Sequence, residues 1–147
     1  MQSPPAAPAP PVAEARKVRV LIADDEPHIR NVIARIVTAL GGQVVAEAGD
    51  GEEALRLFET ERPSLAILDI NMPKITGDQV LARMLERDPH VLVIMMTAQD
   101  TVSGVRGCLE LGARDYILKS NPAEEIYRLL AESWRGYTEE ILGLGVT

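Results

Sequence analysis

Several polar residues stand where apolar runs stop. Asp24 and Asp25 follow VRVLIA, Asp69 follows LAIL, Thr97 follows VLVIMM and Lys119 follows YIL. If these runs are parallel strands of one sheet, their carboxyl ends gather along one edge, and three carboxylates, a hydroxyl and an ammonium converge there. Carboxylates crowded in this way raise one another's pKa unless a cation intervenes. A hard divalent ion resolves the conflict. Mg²⁺ takes few carboxylates and keeps several waters, so Asp25 and Asp69 suit direct ligation, with Asp24 acting through water. A carboxylate placed like Asp69 can attack an activated phosphoryl group and form an acyl phosphate. The metal and Lys119 would then balance charge on the transferred oxygens, and Thr97, with only the small Ala98 beside it, would donate a hydrogen bond to one of them. A single Asp or Thr at a strand end is more often a turn or cap residue. Four such positions at four strand ends argue for a site.

The elements that must position these residues are legible from periodicity. Residues 17–23, 43–48, 65–69, 91–96 and 114–118 read as strands, several of them continuously apolar as in strands covered on both faces. Ile29, Val32, Ile33, Ile36, Val37 and Leu40 form one helical stripe that starts after Pro27 and stops at Gly41-Gly42. Further helices are predicted at about 51–62, 77–87, 101–111 and 122–135. Gly112 reads as a left-handed cap and Asn121-Pro122 as a helix start. Pro73 turns the chain between Asp69 and Gly77. Five alternations of strand and helix imply right-handed crossovers and a three-layer α/β sandwich.

The chain has 147 residues, which suits one domain and one core with no room for a second. Apolar residues make up 46% and aromatics 3%, so the core is built of aliphatic side chains. A net charge of −7 argues against a nucleic-acid surface. One cysteine, Cys108, and two distant histidines, His28 and His90, assemble neither a disulfide framework nor a zinc set. No apolar run is long enough to span a membrane and the start lacks secretory features, so a cytoplasmic protein is expected. Residues 1–16 hold five of the ten prolines and read as a disordered leader.

ADDE at 23–26, LDINMP at 68–73, MTA at 96–98 and DYILK at 115–119 resemble the receiver domains of two-component response regulators, over about residues 17–135. The resemblance implies a flavodoxin-like parallel sheet of order 2-1-3-4-5 with five helices. It implies that Asp69 accepts phosphate from the histidine of a sensor kinase or phosphotransfer protein. Asp24, Asp25 and Asp69, with the backbone carbonyl of Asn71, would hold Mg²⁺, and Thr97 and Lys119 would contact the phosphoryl group. Tyr116 matches an aromatic switch whose ring turns inward as Thr97 moves, resetting the face made by the fourth helix, fifth strand and fifth helix for a downstream protein. Asn71 and Gln99 match positions that tune phosphate loss. Ser120 departs from the family, in which proline usually follows the lysine. That lowers the expectation of a cis peptide, which without proline costs about 3 kcal/mol.

The reading is thus of a stand-alone phosphorylation switch, not a turnover enzyme. It requires an Asp69 oxygen open to solvent and the Lys119 amine at the same end of the molecule. A phosphatase of the haloacid dehalogenase type would need a second acid two residues after the nucleophile, where Asn71 stands. A nucleotide-binding loop would need glycines where ADDEP places negative charge. A phosphate-independent interaction module remains as the alternative. His28 is expected to face solvent in the first helical turn and Cys108 to pack in the core. Trp134, Tyr137 and Ile141 continue the last helical stripe past Gly136. Residues 136–147 are expected to be either an extension of the last helix, on which these three side chains could dock a partner, or a frayed tail folding back on the domain.

Overall fold

The structure, a computed structural model, describes residues 17–98 and 102–143, with 102–105 as backbone only. The leader 1–16, Gln99 and the last residues 144–147 lie outside these. Five strands, β1 (Arg19–Ala23), β2 (Gln43–Ala48), β3 (Leu65–Asp69), β4 (Leu92–Thr97) and β5 (Asp115–Leu118), pair in parallel in the order β2-β1-β3-β4-β5. Helices α1 (Pro27–Ala39), α2 (Gly51–Glu61), α3 (Gly77–Arg87), α4 (Val102–Leu111) and α5 (Ala123–Leu142) alternate with them. The three-layer reading and the implied strand order both hold.

Strand alternation divides the core in two. Val20, Ile22, Ile67 and Ile94 face Ile33, Val37, Ile126 and Leu130 of α1 and α5. Leu21, Leu68, Val93 and Met95 face the opposite layer, where Phe58 of α2 and Met84 of α3 pack. β3 and β4 are buried at every position, which is why they read as unbroken apolar runs. Cys108 lies in this core, and burial, with Asp78 nearby, pushes its thiol up, so it is an inert packing residue. Gly112 takes φ +119° just past α4, and Ala113 N donates to Cys108 O at 2.9 Å, closing the helix as its sequence predicts.

Of the two expectations for the end of the chain, the described residues take the helical extension: the last helix runs unbroken through Gly136 to Leu142, with Trp134 and Tyr137 turned into the core and not offered as a docking surface. Trp134 and Tyr137 are buried against the sheet, and the Tyr137 hydroxyl donates to Asp115 Oδ2 at 3.0 Å. Glycine inside a helix costs about 1 kcal/mol. Burying the aromatic rings on either side of Gly136 stabilises by more than that. Trp134 fits because Gly42 has no side chain: a Cβ there would stand 2.8 Å from the indole and from Val37 Cγ1. Gly42→Ala is therefore expected to lower stability by about 1–3 kcal/mol, the usual range for overpacking. Urea denaturation followed by Trp134 fluorescence measures it, and an unchanged midpoint would show that the ring is not seated on Gly42.

Candidate functional site

Each acidic residue is set by local backbone chemistry. Asp24 leaves β1 with its N–H still on the ladder, donating to Ala48 O at 3.0 Å, while its Oδ1 accepts from Glu26 N at 2.8 Å. That short loop turns the chain into α1, whose first turn opens at Pro27, and Arg30 reaches back to Asp24 O at 2.5 Å. Asp24 is thus buried and tethered, whereas Asp25 is exposed. Asp69 ends β3. Ile70 N donates to Met96 O at 3.0 Å, and Asn71 N donates to Asp69 Oδ1 at 3.2 Å. The chain then returns so tightly that a Cβ on Gly77 would lie 2.1 Å from Asp69 O, so only glycine fits where α3 begins.

β4 brings in Thr97, which is buried and whose carbonyl accepts from Lys119 N at 2.7 Å. This bond carries the register of β5 to its end, Thr97 opposite Leu118, and aims the Lys119 side chain back across the sheet edge. Its Nζ lies 2.9 Å from Asp24 Oδ2, 3.0 Å from Glu26 Oε1 and 3.2 Å from Asp69 Oδ2. Carboxylate oxygens of Asp24, Asp25 and Asp69 all fall within 4.8 Å of one another. Among the described residues there is no cis peptide, and Lys119 reaches the acids with Ser120 following it.

The electrostatics follow from this packing. Burial, then the neighbouring Asp24 carboxylate, pushes Asp69 up to about 6, against the pull of Lys119. Burial alone would lower the Lys119 ammonium, but Asp24, Glu26 and Asp69 together hold it above its ordinary value. Glu26 is lowered by its hydrogen bond to Lys119. Asp24 Oδ2 is a buried oxygen without a hydrogen bond, because its 2.9 Å approach to Lys119 lies outside hydrogen-bond geometry. That contact is an ion pair.

The donor set fits Mg²⁺. Three carboxylates, one of them with an unsatisfied buried oxygen and one facing solvent, form an all-oxygen cluster suited to a hard divalent cation. Asp24, Asp25 and Asp69 are the side chains able to hold it. Asn71 is exposed in the loop beside them.

The structure brings Asp24, Asp25, Asp69 and Lys119 together as the sequence suggests, with Thr97 on the adjoining strand. Two features differ. Asp69 is not open: it is 3% exposed, because Lys119 sits across Oδ2 while the Asn71 amide engages Oδ1. Glu26 belongs to the cluster as well, a residue that the ends of the apolar runs do not mark and whose only signal in the sequence is its place as a third acid directly after the pair. Tyr116 lies outward on β5, 40% exposed. His28 is solvent-facing in the first turn of α1, as expected.

Comparison with known proteins supports this geometry. The family model of the response regulator receiver domain matches residues 20–131. The chain is 39% identical over 113 residues to the "Probable transcriptional regulator ycf27" of Cyanophora paradoxa, covering 77% of this chain and 46% of that protein. It spans about half the length of such regulators. The chemotaxis protein CheY of Listeria monocytogenes is 34% identical over 116 residues, covering 79% of this chain and 98% of that one. Among solved structures, the CheX-CheY-BeF3-Mg²⁺ complex of Borrelia burgdorferi superposes with a TM-score of 0.73 at 29% identity, over 80% of this chain and 89% of that one. Strand order, acidic edge and matched sequence agree, and the chain belongs to the response regulator receiver domains of two-component signalling.

Proposed function

We propose that the protein accepts a phosphoryl group on Asp69 from a phosphohistidine of a sensor kinase or a phosphotransfer protein, and signals through phosphorylation-dependent protein binding. The observation that carries this reading is the placement of Lys119 Nζ 3.2 Å from Asp69 Oδ2 inside a cluster of three carboxylates. An Asp69 oxygen attacks phosphorus. The P–N bond to the donor imidazole breaks, its electron pair stays on nitrogen, and an acyl phosphate forms. Mg²⁺, held by Asp24, Asp25 and Asp69 with the Asn71 carbonyl, supplies positive charge against the phosphoryl oxygens when bound. Lys119 shifts its hydrogen bond from the carboxylate to the new phosphoryl oxygens, and Thr97 donates its hydroxyl to another.

Output follows from the same strand. β5 carries Tyr116 and leads directly into Lys119, so movement at the site reaches the surface formed by α4, β5 and α5. Leu109, Leu111, Tyr116 and Tyr127 are large exposed apolar side chains on those elements, the composition a switched protein surface requires. In this reading residues 17–135 are the signalling unit, acting in the cytoplasm without direct nucleic-acid contact. The only chemistry is the gain and loss of its own phosphate. No described helix is long and apolar enough to cross a membrane.

Incubation with acetyl phosphate and Mg²⁺, followed by intact mass, tests the proposal. The parent is expected to gain one labile phosphoryl group, and chelation or Asp69→Asn to prevent the gain. A folded, metal-supplied parent of unchanged mass would instead favour a phosphate-independent interaction module.

A further inference from the structure

Lys119 has three acidic partners, and they are not equivalent. Asp24 and Asp69 are buried and anchored, since Asp24 Oδ1 accepts from Glu26 N and Asp69 Oδ1 from Asn71 N. Neither can withdraw from the ammonium. Glu26 reaches Lys119 from the rim, 3.0 Å away with its side chain 48% exposed, while the Lys119 side chain is only 7% exposed. The ammonium has three protons, and a phosphoryl group arriving on Asp69 brings oxygens that compete for them. The partner easiest to displace is the one that can turn into solvent. With Glu26 in place, the lysine lies over Asp69 Oδ2, the carboxylate oxygen that the Asn71 amide leaves free.

We propose that Glu26 is a positioning residue that holds Lys119 across Asp69 in the unphosphorylated protein and yields its place to the incoming phosphoryl group. The inference rests on the phosphoacceptor reading above. Glu26 slows phosphorylation in two ways. It stabilises the arrangement that covers the nucleophile, and its negative charge at the rim repels anionic donors. Both effects involve a solvent-facing carboxylate and weaken with salt.

The test uses the full chain, its Glu26→Gln and Glu26→Ala variants, and two small donors of different charge, acetyl phosphate and phosphoramidate. Phosphorylation is followed by intact mass at about 20 mM and about 0.5 M salt. Removing the charge is expected to speed phosphorylation about two- to fivefold at low salt, the range of a partly exposed ion pair. The gain should be larger with the more negative acetyl phosphate and should shrink at high salt. In the absence of any donor, an amine-reactive ester should label Lys119 faster in both variants, with melting temperatures near that of the parent. A merely structural role for Glu26 predicts neither the dependence on donor charge nor the faster labelling. Parent and variants phosphorylated at equal rates at both salts, with Lys119 labelled equally, would overturn the proposal. A parent that gains no phosphate but shows faster Lys119 labelling in the variants would sink the phosphoacceptor reading while leaving the hold of Glu26 on Lys119 in place.

Discussion

Replacing Lys119 with alanine is expected to destabilise the metal-free protein by about 3–5 kcal/mol, the penalty for stripping the counter-charge from buried carboxylates. The size follows from burial. Asp24 and Asp69 side chains are each 3% exposed, the Lys119 side chain is 7% exposed, and Nζ stands 2.9 Å and 3.2 Å from their oxygens. Without the ammonium, two carboxylates share a space from which water is largely excluded, and Asp24 Oδ2 already lacks a hydrogen bond. Urea denaturation in chelator should show a lower midpoint with an unchanged slope. The loss should shrink when Mg²⁺ is supplied, and also below about pH 6, where Asp69 takes up a proton. A loss under about 1 kcal/mol in chelator would show that the acids are solvated and that Lys119 does not hold them together.

The opposite change at the same site should stabilise. Asp69 binds its proton more tightly in the folded protein, at about 6, than its ordinary value of 3.8. A carboxyl raised by folding contributes stability that is complete below 3.8 and is lost as pH rises through about 6. The full span corresponds to about 3 kcal/mol, at 1.36 kcal/mol for each pH unit of the difference. Asp69→Asn removes the charge and keeps the shape. In chelator the variant should therefore be more stable than the parent by about 2–3 kcal/mol at pH 8, with the difference fading toward pH 4. Paired urea titrations across that range measure it. Equal stability of parent and variant at pH 8 would mean that Lys119 fully offsets the burial of Asp69, and the strain assigned to the metal-free site would be absent. The two substitutions push in opposite directions because they change the same imbalance, more negative charge than one ammonium neutralises.

That imbalance also connects stability to function. On the function proposed above, a site strained without its cation would gain from binding one, and a nucleophile covered by its own lysine would have to be uncovered before it reacts. Glu26 on the rim adds to both. Its contact with Lys119 spans 93 positions of sequence, from the start of α1 to the end of β5.

The local patterns of this chain were enough to place its elements and most of its site. Short apolar runs and period-3.6 patterning marked five strands and five helices within a few residues, the end of the last helix excepted, because burial of one face or two leaves its imprint on neighbouring positions. Asp24, Asp25, Asp69, Thr97 and Lys119 stood out because each ends an apolar run, and parallel strands put such ends together. Three things were decided only by the folded whole. Pairing between β1, β3, β4 and β5 set which acids touch Lys119 and brought Glu26 among them. The reach of Lys119 across the edge covered Asp69, where the sequence alone suggested an open nucleophile. The space above Gly42 admitted Trp134 and carried α5 past Gly136 to Leu142. In each case the reason is the same: side-chain periodicity reports which face a residue turns inward, while contact distance and solvent access depend on the registers of segments far apart in the chain.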